Sequence, residues 1–407
     1  MREFVLTKLP EPKPPTSLSC KDPGDNEPYI LCLGKYLSPQ FQRGKSPFLN
    51  EKEGFFTYNS NGKPNYKWIE IRFALSLPKT YFRGGALSGR KFPVVLYAHG
   101  TGGNYLSFVR NLTARRLARA QISVFGIDQP VNGERTIKLG KMRLDFLFFN
   151  ALNLRAARDN VRQSALDYYW QVRFIKKLKF TFSGVSIRFD PRRIWFMGHS
   201  QGGLIGPPIL AFESGISAAY LSAPGGFLIH TLLYKTKPER PIKLSQILQY
   251  LLCDNSESIG PFHPVLGLLQ HFFDPADPVN YAPLMLGKNR SALNLFMTVG
   301  KTDGYAPIQV FDPLVIAAGI PLFGPEVYPV QGFKLRSLRK YSLPMSANYL
   351  HPSGDFVTVG FTQHRRCIYP SGRECDGHFV AFYNSEARRH WQSFFRTLLN
   401  NNYSTIY

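Results

Sequence analysis

The chain has 407 residues, of which 44% are hydrophobic and 19% charged, and it contains 33 Phe and 21 Tyr. This composition predicts a globular protein with a large core and excludes a disordered chain. Lys and Arg outnumber Asp and Glu by 50 to 27, a formal charge of +23. The basic residues are scattered and no nucleic-acid motif accompanies them, so we expect no nucleic-acid partner and a basic surface capable of peripheral contact with anionic lipid or polymer.

The amino-terminal region differs in composition from the rest of the chain. Residues 1–50 are rich in Pro, Lys and Gly, with the run Pro10-Glu-Pro-Lys-Pro-Pro15, and predict an irregular arm. Residues 51–407 are expected to form the main domain. Its first elements, residues 54–58 and 67–75, predict a hairpin at a sheet edge, because the second alternates polar and apolar side chains as a half-buried antiparallel strand does.

Strands and helices alternate through most of the main domain. Residues 92–98 are apolar throughout, which is typical of a parallel strand covered on both faces. Further strands are predicted at 122–127, from Ile194, and at 216–222, 293–299 and 356–361, and helices at 106–119, 150–178 and 386–399. This alternation predicts an α/β fold with a mostly parallel central sheet flanked by helices.

Residues 224–292 do not follow the alternation. They contain two apolar helix-like segments, residues 244–252 and 265–273. An insertion of this length is typical of a lid or cap above an active site, and a packed extra layer without motion is the alternative.

The stretch Gly198-His-Ser-Gln-Gly202 is a G-x-S-x-G motif that follows a strand of buried type. A serine is a useful nucleophile when its oxygen projects from a sharp strand-to-helix turn, and only small residues two positions before and after it let strand and helix approach. The motif therefore predicts a nucleophile at Ser200. The helix that follows is expected to be short or kinked, because Pro207 and Pro208 come early in it.

A serine nucleophile needs a base, which is expected on a loop near the carboxyl end of the chain. His378, in Asp376-Gly-His378, lies between the last predicted strand and the final helix, and it is the best placed of nine histidines. The alternatives are His351, His364 and His390.

The base needs a carboxylate that orients it. Asp303, in Gly300-Lys-Thr-Asp303, follows the preceding strand in a turn flanked by glycines. Asp376 is a rival because it is close in sequence, but its side chain is expected to point away from the ring of His378.

The third requirement is a pair of backbone N–H groups that bind the negative oxygen formed in the reaction. Gln201 is expected to provide one from the start of the helix. The other is assigned to Thr101, in the glycine-rich loop His99-Gly-Thr-Gly-Gly103.

These motifs together resemble the α/β-hydrolase superfamily, whose order of serine, acid and histidine along the chain they share, and the resemblance covers about residues 54–400. The elbow is similar to those of bacterial lipases and esterases. The run Asp274-Pro-Ala-Asp-Pro-Val-Asn-Tyr281 resembles a segment of bacterial hydrolases that are secreted or lipid-anchored. A lipid-attachment signature is missing here, since Ser17-Leu-Ser-Cys20 has no apolar run before it.

The resemblance implies a serine hydrolase that cleaves carboxylic esters through Ser200, His378 and Asp303 and an acyl-enzyme. The substrate is expected to be a small-molecule or lipid-like ester, and the chemistry needs no metal or organic cofactor. A peptidase, amidase or acyltransferase would use the same triad. An inactive hydrolase fold that serves in binding is the alternative from another class of protein.

Five cysteines occur, and none has the C-x-x-C spacing of a zinc or redox site. Cys20 with Cys32, and Cys367 with Cys375, are close enough in sequence to form disulfides, which leaves Cys253 unpaired; free buried thiols are the alternative. No signal peptide is evident, yet a secreted, periplasmic or envelope-associated location is favoured over the cytoplasm.

Overall fold

The computed structural model describes residues 1–84, 89–139, 142, 143, 145–238, 249 and 259–407. The chain divides into two compact units. The first comprises Met1–Ile205 and Phe212–Ala219, and the second comprises Gly206–Ala211 and Tyr220–Tyr407. Strand Ala218–Ser222 begins in the first unit and ends in the second.

The first unit contains a mixed sheet whose neighbouring strands follow the order Ser17–Lys21, Tyr29–Gln40, Lys67–Pro78, Ser123–Ile127, Phe92–Ala98 and Val185–His199. The first four strands pair antiparallel and the last three pair parallel. A further strand, Lys179–Phe182, forms an antiparallel hairpin with the start of Val185–His199. Every residue of Phe92–Ala98 is buried, as a strand covered on both faces requires.

Helices cover this sheet. Leu154–Lys177 has 24 residues, and the Asn153 side chain caps it by accepting a hydrogen bond from the Ala156 N–H. The other helices of the unit are the π-helix Phe4–Lys8, Ser107–Arg110, Thr113–Arg119 and Gln201–Leu204, with 3-10 turns at Lys79–Phe82, Gly133–Arg135 and Asp145–Phe149. The helix predicted over residues 106–119 is interrupted, because Leu112 adopts a φ of +64°.

The second unit contains parallel strands in the order Asn294–Gly300, Val359–His364, Leu322–Phe323 and Lys340–Tyr341. Its helices are Gly206–Leu210, Leu228–Tyr234, Pro264–Phe273, Pro278–Tyr281, Ile308–Ala318, Val380–Tyr383 and Ser385–Thr397. Short antiparallel pairs join Met345–Ser346 to Thr405–Ile406, Tyr349–Leu350 to Phe356–Val357, and Cys367–Ile368 to Glu374–Cys375. The predicted fold class, α/β with a mostly parallel sheet flanked by helices, is confirmed.

The amino-terminal region corrects the prediction of an irregular arm over residues 1–50. Tyr29–Gln40 is a 12-residue strand, and it pairs along its whole length with Lys67–Pro78. The predicted hairpin partner of the latter, residues 54–58, makes only isolated bridges instead. The strand-forming residues Tyr29, Ile30 and Tyr36 outweigh the Pro, Lys and Gly content of the region, because they bury their side chains in the sheet.

The two cysteine pairs that are close in sequence both form disulfides, and not the free thiols that were the alternative. Cys20 and Cys32 face each other across the paired strands Ser17–Lys21 and Tyr29–Gln40, and Cys367 and Cys375 do so in their own short pair. The remaining cysteine, Cys253, lies outside the described residues.

The insertion, residues 224–292, is described at 224–238, 249 and 259–292. The predicted segment 265–273 forms helix Pro264–Phe273, whereas segment 244–252 lies outside the described residues except Gln249. Ile229, Ile259 and Leu266 form a small core of their own. None of the described helices is long and apolar enough to cross a membrane.

Candidate active site

Ser200 lies at the turn between strand Val185–His199 and the four-residue helix Gln201–Leu204. Its backbone has φ +57° and ψ −119°, a conformation that residues other than glycine adopt at a cost of order 1–3 kcal/mol. A second short helix, Gly206–Leu210, contains Pro207 and Pro208. The sharp turn and the interrupted helix are both as the sequence predicts.

The two glycines of the motif permit this turn. A Cβ on Gly198 would collide with the carbonyl of Gly202, and a Cβ on Gly202 would collide with the carbonyl oxygen of Ala98 on the adjacent strand. The strand, the turn and the neighbouring strand therefore approach more closely than any side chain allows, which holds Ser200 in its strained conformation.

Thr101 and Gln201 lie next to each other beside Ser200. The Thr101 hydroxyl donates a hydrogen bond to the Gln201 side-chain carbonyl at 3.0 Å. As the first residue of its helix, Gln201 has a backbone N–H without an acceptor inside the helix. The structure thus brings together the two residues that the sequence assigned to the oxyanion hole.

Gln129 continues this network, and sequence reasoning missed it. The Gln201 side-chain amide donates to the Gln129 side-chain oxygen at 3.2 Å, and the Gln129 amide donates to the His99 carbonyl at 2.6 Å. The His99 ring accepts the Gln129 backbone N–H at Nε2 and donates from Nδ1 to the Gly100 carbonyl. The glycine-rich loop is therefore anchored to the elbow helix by buried side chains. The sequence signal that identifies Gln129 is a polar side chain two positions after the buried strand Ser123–Ile127.

Asp303 and His378 form a buried pair in the second unit. The His378 Nδ1 lies 3.0 Å from Asp303 Oδ1 and 2.9 Å from Oδ2. His378 is 3% exposed and Asp303 is 4% exposed. Asp303 Oδ1 also accepts the backbone N–H groups of Tyr305 and Ala306 at 2.9 and 2.7 Å. These bonds fix the carboxylate, which in turn fixes the imidazole.

Asp376 contacts backbone rather than the histidine ring. Its carboxylate accepts the His378 N–H at 2.9 Å and the Gly304 N–H at 3.1 Å. It therefore ties the loop that carries the histidine to the loop that carries the acid. This position matches the expectation that its side chain points away from the ring.

The two loops also pack against each other through glycine. A Cβ on Gly377 would overlap the backbone of Thr302 and Asp303, and one on Gly300 would overlap Gly377. The Tyr305 ring covers His378, with ring centroids 4.8 Å apart. Burial is the main cause that raises the pKa of Tyr305, and the nearby negative charge of Asp376 raises it further, so the phenol stays neutral.

The competing histidines have other partners or surroundings. His351 bonds Ser353 through Nδ1 at 2.8 Å. His364 lies 3.5 Å from Glu386 and 3.1 Å from the Thr362 hydroxyl. Burial lowers the pKa of His390 to about 4, so it is neutral at physiological pH.

The insertion contacts the acid loop. The N–H groups of Thr236 and Lys237 both donate to the Gly304 carbonyl at 2.9 Å, and the Lys235 ammonium lies 5.9 Å from the Tyr305 ring centroid. Part of the insertion therefore borders the acid–histidine pair. Among the described residues, no group of three His, Cys, Asp or Glu side chains could hold a metal ion.

The predicted site residues thus form two groups. Ser200, Gln201 and Thr101 lie together in the first unit, and Asp303 and His378 lie together in the second. Buried parallel strands, a serine elbow between strand and helix, and an acid and a histidine on loops that follow later strands define the α/β-hydrolase fold.

Solved structures of esterases are similar to this chain. Acetyl xylan esterase 1 from a Thermoanaerobacterium species has 14% identity and a TM-score of 0.45, over 86% of this chain and 81% of its own. The acetyl xylan esterase of Paenibacillus sp. R4 has 14% identity and a TM-score of 0.47, over 84% of each chain. An esterase of Pyrococcus furiosus has 12% identity and a TM-score of 0.36, over 70% of this chain and 80% of its own.

No protein-family model matches the chain, and no curated protein matches it in sequence. Because the identities and TM-scores are low, these similarities do not indicate which substrate this chain acts on.

Proposed function

We propose that this protein is a serine hydrolase that cleaves carboxylic esters, with Ser200 as nucleophile, His378 as base and Asp303 as the group that orients the base. The observation that carries the proposal is the strained backbone of Ser200 at a glycine-bounded turn. Strain of this kind persists where the surrounding structure imposes it, and it clusters at active sites.

In the proposed reaction, Ser200 Oγ attacks the ester carbonyl carbon while its proton passes to His378 Nε2. The protonated imidazole then gives the proton to the departing alkoxide, which leaves as the alcohol. Water attacks the acyl-enzyme with His378 again as base, and the acid and free Ser200 are released. Asp303 supports each step because its bonds to Nδ1 hold the ring and stabilise the imidazolium.

The tetrahedral oxyanion would be held by the backbone N–H groups of Gln201 and Thr101. Each donor in such a site typically contributes about 3 kcal/mol to transition-state stabilisation. The hydrogen-bonded chain from Thr101 through Gln201 to Gln129 supports this role, because it keeps the two donors at a constant separation.

The insertion, which we propose acts as a lid, supports a class of substrate. Its described helices are rich in apolar residues, and Phe262 and Leu268 are 96% and 70% exposed. A lid of this composition favours an apolar acyl or aromatic group. The two disulfides support a location in an oxidising compartment.

The test combines covalent labelling with turnover. Wild type and Ser200→Ala are treated with a fluorophosphonate probe, and hydrolysis of p-nitrophenyl esters from acetate to palmitate is measured. Ser217→Ala is the matched control, because Ser217 is a partly exposed serine whose hydroxyl donates to the Arg192 carbonyl. We expect labelling and hydrolysis in wild type and Ser217→Ala, and neither in Ser200→Ala.

Absence of labelling in well-folded wild type would overturn the proposal and favour an inactive hydrolase fold. Labelling that persists in Ser200→Ala would place the nucleophile elsewhere. The chain-length optimum of the esters tests the substrate class separately from the triad.

A further inference from the structure

A hairpin of the first unit presents a positively charged face to solvent. Lys179 lies directly opposite Arg188, and Thr181 lies opposite Ser186, in the pairing of strands Lys179–Phe182 and Val185–His199. All four side chains are exposed, whereas Ile187 between them is buried. Like charges directly opposite each other destabilise a strand pair, so this face is unfavourable without a counter-charge.

Further basic residues adjoin the hairpin. Phe92 pairs with Phe189, which places the exposed Lys91 beside Arg188 on the neighbouring strand. Arg193 and Arg90 both lie within electrostatic reach of Tyr81, where they oppose the rise that burial causes in its pKa. Arg192 shares Asp190 with Arg193. We call these six basic residues the basic ribbon: Arg90, Lys91, Lys179, Arg188, Arg192 and Arg193.

Few carboxylates in the hairpin neutralise the positive charge of the basic ribbon. Asp190 is the one acidic residue between positions 179 and 193. It is shared between Arg192 and Arg193, at 3.7 and 3.8 Å, and the Arg192 side chain is 90% exposed. The other four basic side chains are exposed, and Lys179 and Arg188 share their hairpin with the exposed Thr181 and Ser186.

We propose that the basic ribbon is a docking surface for a linear acidic polysaccharide. Arginine pairs with carboxylates in a planar, two-bonded arrangement, and the ammonium groups of lysine add charge. The hydroxyls of Thr181 and Ser186 suit the hydroxyls of a sugar chain, because each can donate and accept. An oxidising compartment, which the two disulfides favour, is consistent with this partner.

The side chains of the hairpin favour this partner over a bilayer or single-stranded nucleic acid. Surface anchoring in a bilayer takes an inserted apolar group in addition to charge, and binding of single strands uses aromatic rings on which bases stack. The rings of the hairpin, Phe180 and Phe182, are half-buried, and Phe182 packs edge-on against Phe82 at 5.8 Å. Charge and hydroxyl groups therefore remain as the means of recognition.

The test measures binding of the full chain to polygalacturonate, with uncharged dextran as the neutral polymer. The ribbon variant carries Lys91→Gln, Lys179→Gln and Arg188→Gln. The control variant carries Lys334→Gln, Arg336→Gln and Arg339→Gln, which removes the same charge from exposed positions in the second unit. Thermal unfolding of both variants checks that they fold.

We expect wild type to bind polygalacturonate and not dextran, with an affinity that falls steeply with salt. The ribbon variant should bind at least about tenfold more weakly and show a shallower salt dependence, while the control variant changes by less than about twofold. Equal losses in the two variants, or no binding by wild type, would overturn the proposal. Tighter binding to phosphatidylglycerol vesicles or to single-stranded DNA would overturn the choice of partner.

Discussion

Two aspartates lie close to His378, and their hydrogen bonds assign them different tasks. Asp303 bonds the ring nitrogen, while Asp376 bonds the backbone N–H groups of His378 and Gly304. Proximity in sequence made Asp376 a rival for the orienting role. The backbone explains the outcome, since a carboxylate two residues before the histidine caps the turn that begins at Gly377.

Asp376→Ala tests whether Asp376 acts by holding the two loops together while Asp303 orients the ring. Losing the tie between the two loops should lower kcat for ester hydrolysis by about tenfold to a hundredfold with little change in KM, because a small misplacement of a catalytic group is costly. Asp303→Ala should cost about a thousandfold or more. Steady-state kinetics of both variants provide the comparison.

Asp376→Asn is the control for this prediction. Asp376 Oδ1 accepts both N–H groups, and an amide oxygen in its place can do the same, so we expect Asp376→Asn to recover part of the lost kcat. A loss for Asp376→Ala as large as that for Asp303→Ala would instead assign Asp376 a direct role with the ring.

At the scale of the elements, the elbow depends on the absence of a side chain at Gly202. We expect Gly202→Ala to lower the free energy of unfolding by about 3 kcal/mol or more, because a Cβ there collides with backbone that cannot move aside. Gly267→Ala is the matched control. Gly267 lies inside helix Pro264–Phe273, and a Cβ there meets nothing within 4 Å.

Gly267→Ala should raise the stability by about 0.5–1 kcal/mol, since alanine favours a helix over glycine. Urea unfolding of wild type and both variants measures the two effects. A Gly202→Ala protein as stable as wild type would contradict the close packing of the elbow.

The two disulfides have different neighbours, which predicts different consequences of removing them. The disulfide Cys367–Cys375 ends one residue before Asp376, and Cys367 Sγ lies 3.3 Å from the Asp376 carbonyl. Cys20–Cys32 joins two strands of the amino-terminal sheet. Replacing either pair by alanine should cost about 2–3 kcal/mol in stability.

Activity separates the two pairs. At a temperature well below either melting point, we expect the Cys367→Ala/Cys375→Ala protein to lose kcat, because the loop before His378 is released, and the Cys20→Ala/Cys32→Ala protein to retain it. Esterase assays beside thermal unfolding give both quantities. Equal activity in the two proteins would show that the disulfide does not support the histidine loop.

The stability of the whole molecule should depend on pH through Asp312. Burial raises the pKa of this carboxyl to about 7, although the Tyr328 hydroxyl donates to it at 2.9 Å. Since the folded state keeps this proton to a higher pH than the unfolded state does, the contribution to stability is complete below about pH 4 and is lost as the pH rises towards 7.

Asp312→Asn removes this titration and keeps an oxygen that can accept the Tyr328 hydroxyl. We therefore expect the variant to gain stability relative to wild type at pH 8 and to gain little or nothing at pH 4. Urea midpoints at the two pH values give the difference. A gain that does not change with pH would contradict the raised pKa.

How far the sequence predicts this protein depends on the range of the interactions involved. Strand Phe92–Ala98 was predicted with its observed bounds, because seven consecutive apolar residues are typical of a buried parallel strand. Helix Leu154–Lys177 and the interrupted helix after Ser200 were also predicted, since periodicity and proline act locally. The antiparallel pairing of Tyr29–Gln40 was missed, because a partner 27 or more residues away leaves no local pattern.

The sequence by itself determined the elbow at Ser200 and the alternation of strands and helices, because each depends on residue type and short spacing. It allowed two cysteine pairs, and the structure shows that both are disulfides. Only the tertiary structure decided that Asp303 rather than Asp376 bonds the ring of His378, that Gln129 anchors the loop of Thr101, and that Phe92 pairs with Phe189 beside the charged hairpin. These contacts join residues far apart in the chain. Their geometry is set by strand register and loop packing, which spacing along the sequence does not encode.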